Sequence, residues 1–194
     1  MARGPRYRVP YRRRREAKTD YKARRTLATS TRPRLVVRPS DRNITIQLVE
    51  SKIEGDYVLV QVGSAELEKY GWKGGKKNTP SAYLLGLLVG QKALSKGIEA
   101  ANLDIGLSRP TKGSKVFAAV KGAIDSGLEV PCDSDILPDS ARLEGRTIEE
   151  YADSIEEPYD YERQFSDYLK RGLRPQGLPE HFGEVKTRIE EDNL

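Results

Sequence analysis

Arg34–Gly63 reads RLVVRPSDRNITIQLVESKIEGDYVLVQVG, and the period of its apolar residues decides the fold class. Three segments, Arg34–Arg38, Asn43–Glu50 and Tyr57–Gly63, are rich in β-branched residues and alternate with period two, the spacing that puts successive side chains on opposite faces of a strand. Ile44, Ile46 and Leu48 share one face, as do Val58, Val60 and Val62. Ser40-Asp41-Arg42 and Glu54-Gly55-Asp56 supply turn chemistry between them. The stretch predicts a three-stranded antiparallel meander.

Downstream the period changes. Thr79-Pro80-Ser81 offers a hydroxyl cap with proline at the first helical position, and the helix should run to about Ser95 and close at Gly97. Its apolar residues almost encircle it, which places it buried against a sheet. Gly86 and Gly90, four apart, would permit close backbone approach; a membrane dimer motif is the other reading, and the apolar run is too short to favour it. Ala101–Gly106 reads as a short buried strand and Arg109–Ser114 as a loop. Ser114 can cap a helix over Lys115–Ser126 that ends at Gly127, with Val116, Phe117, Val120 and Ile124 inside. Leu128–Pro131 resumes an extended strand. Strand–helix–strand at this spacing is a βαβ unit with parallel strands and a right-handed crossover. The expected fold class is therefore α/β: a mixed sheet, meander followed by βαβ unit, with packed helices, over residues 33–132.

The flanks differ sharply in charge. Residues 1–42 carry fifteen Lys/Arg against three acids, a net of +12, whereas residues 132–194 sum to −9. Within residues 1–32, Arg12, Arg13, Arg14 and Arg15 run unbroken, and Tyr7, Tyr11 and Tyr21 lie between the cations. This extension has too few large apolar residues to offset the entropy of ordering itself. A polyanion can order it: arginine forks take phosphate oxygens bidentately, displaced counterions add a salt-sensitive gain, and tyrosines stack on unpaired bases. A solvated tail or targeting signal is the plainer reading. A helix over Thr19–Ser30, capped by Thr19, is expected there. Residues 133–194 read as an acidic helical appendage: Thr147-Ile-Glu-Glu150 is a capping box, and stripes at Ile148/Tyr151/Ala152/Ile155, Tyr161/Phe165/Tyr168/Leu169 and Phe182/Val185/Ile189 lie across the core or a neighbour. Its acidity can repel RNA, meet basic proteins, or be a solvated face.

Cys132 is the only cysteine, which favours a reducing compartment. No stretch reads as a secretory signal or a bilayer span, so a soluble, cytoplasmic protein without membrane contact is expected.

Three further patches are candidates. Gly71–Lys77 (GWKGGKK) sets Trp72 among Lys73, Lys76 and Lys77; Trp72 is either a core anchor or a ring packed on sugar or base while the lysines follow a backbone. The spacing is not that of a P-loop. Arg109, Lys112, Ser114 and Lys115 precede a helix N-terminus, which suits an anion or is a simple capped loop. Arg32, Arg34, Arg38 and Arg42 either extend the basic surface or are ordinary edge charges. The βββαβαβ order invites comparison with metal-dependent nucleases of the ribonuclease-H type. Two-metal chemistry needs clustered carboxylates, yet the first strand has Leu35-Val36-Val37 where one should stand. Asp104 stands alone and suits a structural acceptor; His181 is the lone histidine. No triad, acid–base pair or zinc set can be assembled, so neither an enzyme nor a cofactor is expected.

Arg12–Tyr21 (RRRREAKTDY), Gly71-Trp-Lys-Gly74, Asn78–Leu88 (NTPSAYLLGLL) and Asp104–Val130 (DIGLSRPTKGSKVFAAVKGAIDSGLEV) resemble the archaeal form of large-subunit ribosomal protein eighteen, the family that binds 5S ribosomal RNA. The resemblance runs in register to about residue 131 and is less sharp beyond it. It implies a non-enzymatic protein that attaches 5S rRNA to 23S rRNA in the central protuberance, near large-subunit protein five and other neighbouring proteins. The family's RNA-contacting head matches Arg3, Arg6, Arg8, Arg12, Arg13, Arg14, Arg15, Lys18, Lys22, Arg24 and Arg25. A free RNA-binding or nucleoid protein is the rival binding module.

Overall fold

A computed structural model describes residues 4–192. In chain order these form α1 (Arg12–Arg15), α2 (Tyr21–Ala28), β1 (Arg34–Pro39), β2 (Ile44–Ser51), β3 (Asp56–Gly63), a 3-10 turn (Glu66–Tyr70), α3 (Thr79–Leu94), β4 (Asn102–Asp104), α4 (Lys115–Asp125), α5 (Ser140–Glu144), α6 (Arg146–Asp153), α7 (Pro158–Lys170) and α8 (Leu178–Glu191). The sheet order is β3-β2-β1-β4, antiparallel except for the parallel β1–β4 pair. The α/β class, the meander and the parallel return strand are all as the sequence predicts. The last predicted strand contracts to one parallel bridge, Ala100 with Glu129. Pro131, with no N–H to give, follows it two residues on.

Leu35 and Val37 of β1, Ile44, Ile46 and Leu48 of β2, and Val60 and Val62 of β3 are buried under α3 and α4. Val58 is not with them. Leu48 pairs with Val60 and Val49 with Val58, so Leu59 has no opposite residue. That bulge turns the start of β3 over, and Val58 is left half exposed on the other face.

Helix α3 is buried along nearly all its length. Its cap is Asn78 rather than Thr79: the Asn78 carboxamide oxygen accepts from the Ser81 N–H at 2.9 Å. The helix closes through Ile98 N–H to Ala93 O at 3.0 Å, with Gly97 in the left-handed region. Asp20, not Thr19, caps α2 by accepting from the Lys22 and Ala23 N–H groups. Thr147 caps nothing, because left-handed Gly145 both ends α5 and starts α6.

The glycines of α3 face α4, not the sheet. A methyl group on Gly86 would strike the backbone of Ala119, one on Gly122 the backbone of Tyr83, and one on Gly90 the Ser126 hydroxyl. The two helices therefore touch backbone to backbone.

Of the acidic region's stripes, the third folds onto the same core. Leu178, Phe182, Val185 and Ile189 are buried, each contributing about 2 kcal/mol of apolar burial, and Phe182 meets Tyr83 of α3 with ring centroids 5.6 Å apart. Helix α7 is held mainly by Phe165, packed among Tyr151, Tyr161 and Tyr168.

Gly86→Ala is expected to lower folding stability by about 3 kcal/mol, since the obstructing atoms are backbone and cannot swing aside. Gly183→Ala, on the open face of α8 with nothing near its Cβ, is expected to be neutral or to stabilise by up to ~1 kcal/mol. Denaturant melts of both variants check the contrast.

Candidate nucleic-acid interface

A buried charge network positions the basic face. Arg34, at 3% exposure, points from β1 away from the apolar core. Its guanidinium pairs with Asp104 at the end of β4 (Nη1 to Oδ2, 3.1 Å) and with Asp56 at the start of β3 (Nη2 to Oδ1, 2.9 Å). Arg38 closes on the same carboxylate, Nη2 to Asp104 Oδ1 at 2.6 Å and Nη1 to the Asp104 backbone oxygen at 2.6 Å. Burial alone would raise the Asp104 pKa; the Arg38 hydrogen bond and charge, the Gly106 N–H and the Arg34 charge outweigh it and hold the carboxyl below its usual range. Asp56 is likewise lowered, burial being outweighed by Arg34 and Arg24.

Arg24 of α2 donates to Asp56 Oδ2 at 2.9 Å, Arg32 to Glu129 at 2.8 Å, and Asn102 Nδ2 to Ser30 Oγ at 2.7 Å. Through the first of these contacts the leader rests on the network, and through the other two on residues beside the sheet. Neither α1 nor α2 buries a residue. Ala17, at φ 51°, reverses the chain after α1, and Arg13 Nε donates to Thr19 Oγ1 at 2.8 Å. Tyr11 and Tyr21 lie 5.7 Å apart.

Two clefts result. One, of about 700 Å³, is lined by Arg13, Lys18, Arg24 and Arg38 together with Asp20, Asp104, Leu27, Leu103 and Leu107. The other, about 620 Å³, lies among Arg14, Lys22 and Arg25. Arg6, Tyr7, Arg8, Tyr11, Arg12 and Arg15 are exposed. Arg3 lies outside the described residues.

Some candidates are placed elsewhere. Arg34 is no part of the basic surface: its fork is filled by two carboxylates, so it holds the sheet. Trp72 is the core anchor, 4% exposed, with Nε1 donating to Gly75 O at 3.1 Å. His181 stacks on it, ring centroids 5.4 Å apart, and accepts the Lys73 N–H at Nε2, 3.0 Å. Lys76 pairs with Glu68 at 2.5 Å, and Arg171 and Tyr168 close over Gly74 and Gly75. The glycine-rich loop is thereby clasped by α7 and α8, leaving Lys73 exposed but no ring to offer a base.

The fold also joins two patches far apart in sequence. Lys77, ahead of α3, and Lys112 and Lys115, at the start of α4, line one cleft with Arg142 of α5. Sequence reading missed Arg142 because it stands in a strongly acidic region. Arg109 is exposed outside this cleft.

A family profile described as ribosomal large subunit proteins 60S L5 and 50S L18 matches residues 5–101 and 96–133. Curated relatives named large ribosomal subunit protein uL18 are similar over almost their whole length. The protein of Thermofilum pendens is 51% identical over 193 residues, 98% of each chain. That of Methanothermobacter thermautotrophicus is 50% identical over 192 residues, 99% of this chain and 100% of the relative. That of Ignicoccus hospitalis is 51% identical, covering 99% and 95% respectively.

Asp104→Asn is expected to cost about 3 kcal/mol, since it strips one carboxylate from a buried guanidinium; a chemical melt measures it. His181 supplies a pH test. Burial, helped by the Lys73 and Arg188 charges, lowers its pKa against the opposing pull of Glu184. The unfolded chain therefore takes up the proton first, and stability falls as pH drops below about 6.5. His181→Gln should flatten that fall as the pH drops below about 6.5, and equal slopes in the two proteins would contradict it.

Proposed function

The chain belongs to the family of ribosomal large subunit proteins 60S L5 and 50S L18, non-enzymatic constituents of the cytoplasmic large ribosomal subunit, and from that premise we propose that it grips 5S rRNA with its basic leader and attaches it to 23S rRNA in the central protuberance. The observation that carries this reading is the leader itself. Residues 1–42 hold a net charge of +12, and neither of their helices buries a side chain. Arg6, Arg8, Arg12, Arg13, Arg14, Arg15, Lys18, Lys22, Arg24 and Arg25 are phosphate partners in this reading, with Arg38 beside them and Arg32 at the margin. Tyr7 and Tyr11, 46% and 76% exposed, are free to stack on unpaired bases; half-buried Tyr21 backs Tyr11.

Phosphate contacts of this kind fix position without reading sequence. Preference for one RNA then comes from its folded shape, which must present phosphates to both leader clefts at once. The acidic faces of α6 and α7 suit basic neighbouring proteins, large-subunit protein five among the candidates. The nucleoid reading loses ground because a third of the chain is acidic and would repel an enveloping duplex.

Replacing Arg12, Arg13, Arg14 and Arg15 together by Ala is expected to weaken 5S rRNA binding by about a hundredfold at 0.15 M salt. It should also flatten the slope of log affinity against log salt by about three. The core's cooperative melt should be unchanged, because α1 buries nothing. Filter binding across a salt series measures the first two; affinity preserved at moderate salt would overturn the assignment.

A further inference from the structure

The cleft between the N-termini of α3 and α4 concentrates positive charge without a carboxylate to answer it. Lys77, Lys112, Lys115 and Arg142 arrive from three segments and line one opening of about 620 Å³. None is ion-paired among the described residues; Lys77 gives its ammonium only to the Asp41 backbone oxygen at 3.2 Å. Ser114 also lines it, its Oγ enclosed and without a hydrogen-bond partner among the described residues. Ser114 makes no side-chain cap on α4, so N–H groups of its first turn are left without one. Charge of one sign beside an uncapped helix start is what a bound phosphate would satisfy. Burial, and after it the charge of Lys77, lowers the Lys115 pKa, so the free protein holds these cations at a cost an anion would remove.

We propose that this cleft takes a phosphodiester group of a second RNA segment, other than the one held by the leader. It shares no lining residue with either leader cleft. The inference rests on the reading of the leader as the 5S rRNA grip and adds the place where the large-subunit RNA is held. The two contacts then act in series, and the protein joins two RNA segments because its cations form separate sites.

Lysine acylation of the full-length protein, read by mass spectrometry, tests this with 5S and 23S rRNA transcripts as probes. With 5S rRNA alone, Lys18 and Lys22 should be protected while Lys112 and Lys115 stay reactive. Adding 23S rRNA should then protect Lys112 and Lys115. Lys112→Ala with Arg142→Ala should bind 5S rRNA within about twofold of the unaltered protein, yet its 5S complex should capture 23S rRNA about tenfold more weakly. Lys112 and Lys115 remaining reactive with both RNAs present would overturn the proposal, as would their protection by 5S rRNA alone. Failure of 5S rRNA to protect Lys18 and Lys22 would instead remove the leader reading beneath it.

Discussion

The Arg34–Asp104 pair is the interaction on which the sheet's outer face depends. Strand β4 is three residues long, and a parallel strand that short has few ladder bonds to fix its place. Asp104 closes its end, and through Arg34 it is tied both to β1 and, by way of Asp56, to the first residue of β3. Burying these charges is expensive, and the pairing offsets the cost only while all partners stay. The expense is visible in Arg34 Nε, buried with no partner among the described residues. What the arrangement secures is orientation. Arg38 is braced on Asp104 and Arg24 on Asp56, so two cations of the basic face are held by the same carboxylates that set the strand order.

The glycine contact between α3 and α4 plays the corresponding part on the other face. Because the two backbones touch, their relative position is set by atoms that cannot rotate away. That position brings the starts of both helices, with Lys77 and Lys115, to one opening. Core packing thus decides where charge accumulates, although none of the packed residues is charged.

The alternation of residues 34–63 and the strand–helix return were legible in the sequence because they are local periodicities. What was not legible depended on partners distant in the chain. The Leu59 bulge leaves the valine pattern intact on paper and still turns Val58 over. Gly86 and Gly90 announced a close approach but not whose backbone would approach. Asn78 and Thr79 are both capping residues, and only the backbone turn decides between them. Arg34 was indistinguishable from its surface neighbours, since nothing in RLVVR says that one arginine meets two carboxylates; the isolation of Asp104 in an apolar segment was the available hint. Trp72 was open between core and surface, and a lone histidine more than a hundred residues away settled it by stacking. Arg142 was hidden by net charge, which averages over the very contrasts a cleft selects.

The leader obeys a different rule from the core. Helix α1 is a single turn and α2 two, lengths at which an isolated helix is marginal in water. Their cations face outward, and their few ties to the core are polar and exposed. Conformational freedom kept in this way must be given up on binding, so affinity here has to come from charge in number rather than from a pre-shaped pocket. Twelve cations within residues 1–32 supply that number. The acidic helices at the other end set its limit, by making every approach except the basic faces unfavourable to a polyanion.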